Sequence, residues 1–120
     1  MTTPRIFHAA DRTLVAAVTP SGTTRIAREI GADRSRHIGA GIEVFEDTFI
    51  DWTVTYDEVI FVHAGELTIT LAGETHHCGP GDIIWLPEGT GFRMGSATRA
   101  EVFYALHPVD WAARQGLREP

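Results

Sequence analysis

From Gly39 onward, the sequence is a succession of short segments in which apolar and polar residues alternate. Gly65, Gly73 and the cluster Gly79-Pro80-Gly81-Asp82 stand between them as turn residues. Short alternating strands with turn signals about every eight to twelve residues are typical of an all-β sandwich or barrel. No segment sustains a helical period of 3.6 residues over three turns. The predicted strands are residues 42–46, 49–55, 58–63, 66–71, 74–78, 83–86, 91–95 and 100–106.

The ends of the chain are less regular. Strands are expected over residues 13–18 and 25–30, and a short C-terminal helix, capped by Asp110, is expected over residues 109–117. We divide the chain into an N-terminal arm with edge strands (1–38), a barrel core (39–111) and a C-terminal tail (112–120). All three belong to one structural domain, because about 120 residues suffice to bury a single hydrophobic core.

Charge is distributed unevenly along the chain. All ten basic residues are Arg, and residues 37–92 contain ten acidic residues but no Arg. The absence of Lys excludes a Schiff-base lysine and a Lys-bearing phosphate loop. An acidic central segment would also repel a phosphate backbone, so no nucleic-acid partner is expected. The same segment predicts a ligand that is neutral or cationic.

The sequence predicts a cytoplasmic protein without a membrane partner. Its apolar runs are too short to cross a bilayer. Residues 1–12 lack the apolar stretch of a secretory signal. Cys78 is the only cysteine. It cannot form an intrachain disulfide, which fits a reducing compartment.

Two segments resemble the paired motifs of the cupin superfamily, whose fold is a jelly-roll β-barrel. In the first motif, two His residues precede a Glu and a Gly. Glu58 and Gly65, separated by six residues, match the second half of this motif. Counting back from Glu58, Asp51 and Thr53 occupy the positions of the two His residues.

The second motif combines Gly, Pro, Gly and His at fixed spacing. Gly81, Pro87 and Gly89 match it, but Phe92 stands where the His is expected. Of the four usual metal ligands, only Glu58 is therefore present. Thr is a poor ligand and Phe cannot ligate, so no conventional metal site and no cofactor are expected.

More specifically, residues 39–111 resemble the cupin domain of EutQ-like proteins of ethanolamine utilisation. The resemblance implies a compact homodimeric cupin associated with small-molecule catabolism. Acetate kinase activity is attributed to the namesake, but we do not expect it here, because the acidic segment is a poor cradle for a triphosphate. The residues that carry the resemblance are Gly39-Ala40-Gly41, Trp52-Thr53-Val54-Thr55-Tyr56-Asp57-Glu58, Gly79-Pro80-Gly81-Asp82, Pro87-Glu88-Gly89, Phe103-Tyr104 and Pro108-Val109-Asp110-Trp111.

Glu58 is the leading candidate for a catalytic residue. Alternation places it on one strand face with Ile60 and Val62, where burial would raise the pKa of its carboxyl and suit it to acid–base chemistry. Tyr56 and Tyr104 are assigned as catalytic partners that orient a ligand. The structural alternative is a buried Glu that is hydrogen-bonded for rigidity, with the tyrosines as ordinary barrel packing.

Seven further residues are predicted to contact substrate. Acidic members could join Glu58 in a cation-binding cluster, while the aromatic members could line the mouth of a pocket. The alternative places the acids on the solvated face and the aromatic rings in the core. The seven residues are Glu43, Asp51, Trp52, Thr53, His76, Trp85 and Phe92.

These features predict a metal-independent small-molecule site, and proton transfer as in an isomerase, lyase or hydrolase. One alternative is a barrel that binds or senses a ligand without chemistry. Another is a cupin that holds a metal through ligands outside the usual His motif.

Overall fold

The computed structural model describes residues 3–117, which form a β-barrel closed at one end by a short helix. A 3₁₀ turn at Ala9–Asp11 precedes the first strand. The predicted C-terminal tail is therefore described only as far as Leu117, and residues 1 and 2 of the predicted arm also lie outside the description. The elements are β1 (Val15–Val18), β2 (Thr23–Ile30), β3 (Gly39–Thr53), β4 (Asp57–Gly65), β5 (Leu67–Leu71), β6 (Glu74–Cys78), β7 (Ile83–Leu86), β8 (Gly91–His107) and α1 (Trp111–Arg114).

Strands β3 and β8 form the frame of the barrel. They pair antiparallel along almost their whole length, from Gly39 opposite Leu106 to Thr53 opposite Gly91. The prediction that each of them is divided into two strands is therefore wrong. In β3 the alternation is interrupted at Asp47, which has a φ of 48° and lies within a register shift. Such a bulge bends a strand without ending it.

The bend lets the two long strands take part in both walls of the barrel. The main strand order is β1-β2-β3-β8-β4-β7. Residues 100–107 of β8 pair with β4, whereas residues 93–95 pair with β5, which also pairs with β6. The predicted all-β barrel is thus confirmed.

Strand alternation decides which side chains enter the barrel. On β4, Glu58, Ile60 and Val62 are buried, as predicted, while Val59 and Phe61 face outward. A strand with one face on a core and the other toward solvent shows this period of two. The same face of β4 therefore supplies both aliphatic packing and a carboxyl group.

The C-terminal helix is shorter than predicted, since α1 covers only Trp111–Arg114. Asp110 is its N-cap residue but makes no capping hydrogen bond through its side chain. Instead, the Asp110 carboxylate accepts a hydrogen bond of 2.6 Å from Arg114 Nε. Trp111 and Ala112 are buried, which holds the helix across the end of the barrel. Within residues 3–117, no helix has the length and apolar character needed to cross a bilayer.

Candidate functional site

A cavity of about 80 Å³ lies inside the barrel at the end that α1 covers. Its walls come from the first four strands, β8 and the helix, so residues distant in sequence converge on it. The lining is largely aromatic and aliphatic, with two carboxyl groups and one guanidinium among its polar groups. The lining residues are Ala17, Thr19, Ile26, Arg28, Glu43, Ile50, Trp52, Tyr56, Glu58, Phe92, Met94, Tyr104, Leu106 and Trp111.

Glu58 projects into this cavity from the start of β4. It is only 9% exposed. No group within residues 3–117 donates a hydrogen bond to its carboxyl. Burial, together with the negative charge of Glu43, raises the pKa of Glu58 to about 8. At neutral pH the side chain is therefore mainly the uncharged acid, a state that can donate a proton.

Glu43 is the second carboxyl group of the cavity and lies on β3. Its Oε2 accepts a hydrogen bond of 2.6 Å from Thr24 Oγ1 on β2. Burial raises the pKa of Glu43, and the Thr24 hydrogen bond and the positive charge of Arg28 oppose that rise. Glu43 is thus held by partners on β2, whereas Glu58 is not held by any described hydrogen bond.

Three aromatic rings meet beside Glu58. Trp52 Nε1 donates a hydrogen bond of 3.0 Å to the Tyr56 hydroxyl. The Trp111 ring packs against both residues, with its centroid 4.6 Å from Tyr56 in a tilted arrangement and 6.2 Å from Trp52 edge to face. Burial and the nearby Glu58 carboxyl raise the pKa of Tyr56. Tyr56 is therefore a neutral phenol that accepts from Trp52 and retains its own proton for donation.

Tyr104 reaches the cavity because Gly41 leaves room for it. The two residues face each other across β3 and β8. A Cβ on Gly41 would lie 2.9 Å from the Tyr104 hydroxyl and would also collide with the Ala27 carbonyl. Glycine at this position permits the close approach of ring and backbone.

The structure brings together six of the ten predicted site residues. They share positions on the inward faces of β3, β4 and β8 or in the turn between β3 and β4. The six are Glu43, Trp52, Tyr56, Glu58, Phe92 and Tyr104.

The other four lie outside the cavity, which corrects the sequence-based placement. Asp51 is exposed and accepts a hydrogen bond of 3.1 Å from Arg93, and Thr53 is exposed on the same side of β3. The bulge at Asp47 explains this error. It reverses the parity of the strand, so that Glu43 faces inward before the bulge while Ile50 and Trp52 face inward after it.

His76 and Trp85 lie outside the cavity because of the strand or the strand face on which each one stands. His76 is exposed on β6, which pairs within residues 3–117 only with β5. Trp85 is 59% exposed, because Ile84 and Leu86 take the inward positions of β7. Neither side chain lines the cavity.

Sequence reasoning missed three polar or aromatic residues of the site, Thr19, Arg28 and Trp111. Arg28 follows Thr24 and Ile26 at a period of two on β2, and this alternation could have revealed it. Trp111 belongs to the closing Pro-x-Asp-Trp segment. The spacing of that segment does not by itself place the Trp111 ring in a pocket.

The residues at the usual cupin ligand positions do not fit a metal ion. Asp51 and Thr53 lie outside the cavity, and Phe92 offers no donor atom. Across residues 3–117, no three His, Cys, Asp or Glu side chains are grouped to hold a metal. A transition metal bound in a protein generally requires three or more such ligands. We therefore derive no chemistry through a metal.

Comparison with known proteins identifies the family. The model of the family "Ethanolamine utilisation protein EutQ" matches residues 10–113. A relative from Clostridioides difficile (strain 630), named acetate kinase EutQ, is 30% identical over 82 residues, or 68% of this chain and 52% of the relative. The chain thus spans about half the length of that relative.

Solved structures agree with this result. The structure of the Clostridium difficile EutQ protein has a TM-score of 0.71 and 28% identity, covering 80% of this chain and 70% of that one. An RmlC-like cupin from Shewanella frigidimarina NCIMB 400 has a TM-score of 0.68 and 12% identity, covering 88% and 92%, and is similar in fold alone. The predicted cupin barrel and its EutQ-like character are confirmed. Because the family match extends over most of its length, the chain belongs to the EutQ family of ethanolamine utilisation proteins.

Proposed function

We propose that this protein is a metal-independent small-molecule cupin in which Glu58 exchanges a proton with a bound ligand. The observation that carries the proposal is the Glu58 carboxyl itself. It is buried, faces a cavity and has no hydrogen-bond partner within residues 3–117. A polar group is costly to bury without a partner, so a ligand that supplies one would complete the site.

The surroundings of Glu58 suit it to acid–base work. Because its pKa is raised to about 8, both protonation states are accessible near neutral pH. Tyr56 and Tyr104 line the same cavity, and their hydroxyl groups would orient a ligand oxygen or nitrogen. Isomerisation, elimination and hydrolysis are reactions that one proton-transferring carboxyl and two phenols can promote.

The lining also favours a neutral or cationic ligand. Two carboxyl groups face the cavity, and Arg28 is the one basic residue among the described residues that line it. We do not extend the acetate kinase activity named for the relatives to this chain. A cavity of about 80 Å³ is far below the roughly 300 Å³ at which pockets for larger ligands begin. Phosphoryl transfer also relies on several cationic groups.

Proton exchange in D₂O tests the proposal with a panel of candidate compounds. Small aldehydes, ketones, amines and acids are incubated with the protein, and loss of carbon-bound protons is followed by ¹H NMR. We expect exchange of at least one compound with the wild type, none with Glu58→Gln, and unchanged exchange with the exposed control Asp51→Asn. Exchange that persists in Glu58→Gln would show that another group carries the proton.

Two other outcomes would redirect the proposal. Binding of a compound without any exchange would favour a binding or sensing barrel. Stoichiometric metal in the purified protein, measured by elemental analysis, would contradict metal independence and support ligands outside the His motif.

We further propose that the protein is a cytoplasmic homodimer, with an exposed apolar face as the interface. Neighbouring strands present this face in register, since Val59 lies opposite Trp85 on β7 and Phe61 lies opposite both Ile83 and Phe103. Ile83 and Trp85 are 69% and 59% exposed. The five residues lie next to one another on β4, β7 and β8, and a contiguous exposed apolar patch of this kind is typical of a protein–protein interface.

Sedimentation velocity tests the dimer. Ile83→Arg should convert a dimer to a monomer, whereas Val18→Arg, at another exposed apolar position, should not. A wild-type monomer at micromolar concentration, or dissociation by both variants alike, would contradict this interface.

A further inference from the structure

Three aromatic residues form a cluster beside Glu58. Trp52, Tyr56 and Trp111 are mutually in contact, at centroid distances of 4.6 Å and 6.2 Å from the Trp111 ring and through the hydrogen bond from Trp52 to Tyr56. All three line the cavity, and the Glu58 carboxyl lines it with them. Ring faces carry partial negative charge, so several rings around one space attract a cation.

Glu43 and Arg28 are the other charged residues that line the cavity among the described residues. Arg28 is paired electrostatically with Glu43, whose pKa it lowers. Among the described residues, Glu43 is the charged group that adds to the rise in the pKa of Glu58. Burial and Glu43 keep Glu58 mainly uncharged in the absence of a ligand, and an ammonium group bound beside it would favour the carboxylate.

We propose that this end of the cavity binds the ammonium group of a small alkylamine, with the rings of Trp52, Tyr56 and Trp111 around it and the Glu58 carboxylate as its counter-ion. The ammonium group would supply the hydrogen-bond donors that Glu58 lacks within residues 3–117. Its carbon atoms would extend toward the apolar lining formed by Ile50 and Met94. The inference rests on the proposed function, because it names the ligand class of the same pocket.

The volume of the cavity suits a short amine. An engineered apolar cavity of about 150 Å³ accommodates benzene, a molecule of six carbon atoms. By proportion, about 80 Å³ accommodates roughly three or four non-hydrogen atoms. Ethylammonium, with two carbons and one nitrogen, is therefore the probe that fits.

Titration with three probes of similar size and different charge tests the proposal. Ethylammonium chloride, acetamide and sodium acetate are each titrated into the full chain at constant ionic strength, and binding is followed by ligand-observed NMR. We expect ethylammonium to bind at least about tenfold more tightly than acetate, because a charged hydrogen bond in a buried site has about that effect. Nuclear Overhauser contacts should connect its ethyl protons to indole and phenol ring protons.

Two variants sharpen the test. Glu58→Gln should weaken ethylammonium binding at least about tenfold and leave acetamide binding within about twofold. The exposed control Asp51→Asn should change neither. Should Glu58→Gln not fold, the comparison of the three probes on the wild type still decides the question.

Each result has a separate meaning. Acetate or acetamide binding as tightly as ethylammonium would overturn the ammonium site and leave the small-molecule pocket in place. Failure of all three to bind would overturn the ammonium site, whereas the D₂O exchange assay would still decide whether Glu58 transfers protons to some other compound. Ethylammonium contacts outside the three rings would also overturn the proposed location.

Discussion

The two halves of the barrel interior differ sharply in composition although the same strands build them. In one half, Phe45, Val62 and Val102 are fully buried in the hydrophobic core. In the other half, four residues before Val62 on the same face of β4, Glu58 borders a cavity. A single strand thus contributes close packing at one end and a carboxyl group at the other.

The packed half and the cavity half therefore contribute differently to the stability of the fold and to its chemistry. Close-packed aliphatic and aromatic side chains dominate the free energy of folding. A buried carboxyl group without a partner opposes folding. We therefore expect substitutions in the packed half to reduce stability, and conservative substitutions in the cavity half to change function while preserving or increasing stability.

The largest expected effect is in the packed half. Phe45→Ala should lower the free energy of unfolding by about 3–5 kcal/mol, because it removes a large buried ring and leaves a void. Urea denaturation measures this change. Phe61→Ala, at a 40% exposed position, is the matched control and should cost clearly less. Equal losses would show that the packed half is not the source of stability.

The next effect concerns the pH dependence of stability. The pKa of Glu58 is about 8 in the folded protein and near 4.5 when unfolded. Between these two pH values the folded state binds more protons than the unfolded state. The contribution of Glu58 to stability is therefore most favourable below about pH 4.5, and it is lost as the pH rises toward 8. Glu58→Gln should remove this loss.

At pH 8, Glu58→Gln should therefore be more stable than the wild type by about 2–3 kcal/mol, because the variant avoids the cost of ionising a buried carboxyl group. At pH 5 the difference should be much smaller. Thermal unfolding across this pH range provides the measurement. A wild type and variant that respond identically to pH would mean that Glu58 is already ionised in the folded protein.

A smaller effect is expected where backbone and ring approach closely. Gly41→Ala should reduce stability by about 1–3 kcal/mol, because the added methyl group overlaps the Ala27 carbonyl and crowds Tyr104. It should also weaken ligand binding by moving the phenol. Gly79→Ala, which meets nothing within 4 Å, is the control and should be close to neutral. Chemical denaturation of both variants distinguishes crowding from a general loss of glycine.

The smallest effect on stability is expected for the exposed ion pair between Asp51 and Arg93, which lies outside the cavity. Asp51→Asn removes the ion pair with Arg93, in which both side chains are at least half exposed. Such surface pairs contribute about 0–1 kcal/mol and are screened by salt. A larger loss of stability in high salt would contradict this interpretation of Asp51.

The sequence predicted the barrel and the central carboxyl group because both depend on local periodicity. Alternation on β4 identified Glu58, Ile60 and Val62 correctly from their spacing alone. The error at Asp51 arose where local periodicity fails, since one extra residue at the Asp47 bulge reverses the face of every later side chain.

Other parts of the site depend on contacts that sequence spacing does not encode. Arg28 lies outside the acidic segment in sequence, yet β2 places it against Glu43 in the barrel. Trp111 reaches the cavity only because a short helix folds across the barrel end. The division of charge along the chain therefore overstated the acidity of the pocket, which contains one guanidinium as well.

The most direct test of Glu58 as a buried acid is a titration of its carboxyl carbon by ¹³C NMR, with Glu58→Gln used to assign the resonance. We expect a midpoint near pH 8, set by burial and by the charge of Glu43. An added alkylammonium ion should lower that midpoint, because it stabilises the carboxylate. A midpoint near the ordinary value for Glu, unchanged by ligand, would contradict the claim that this side chain is the buried acid of a functional site.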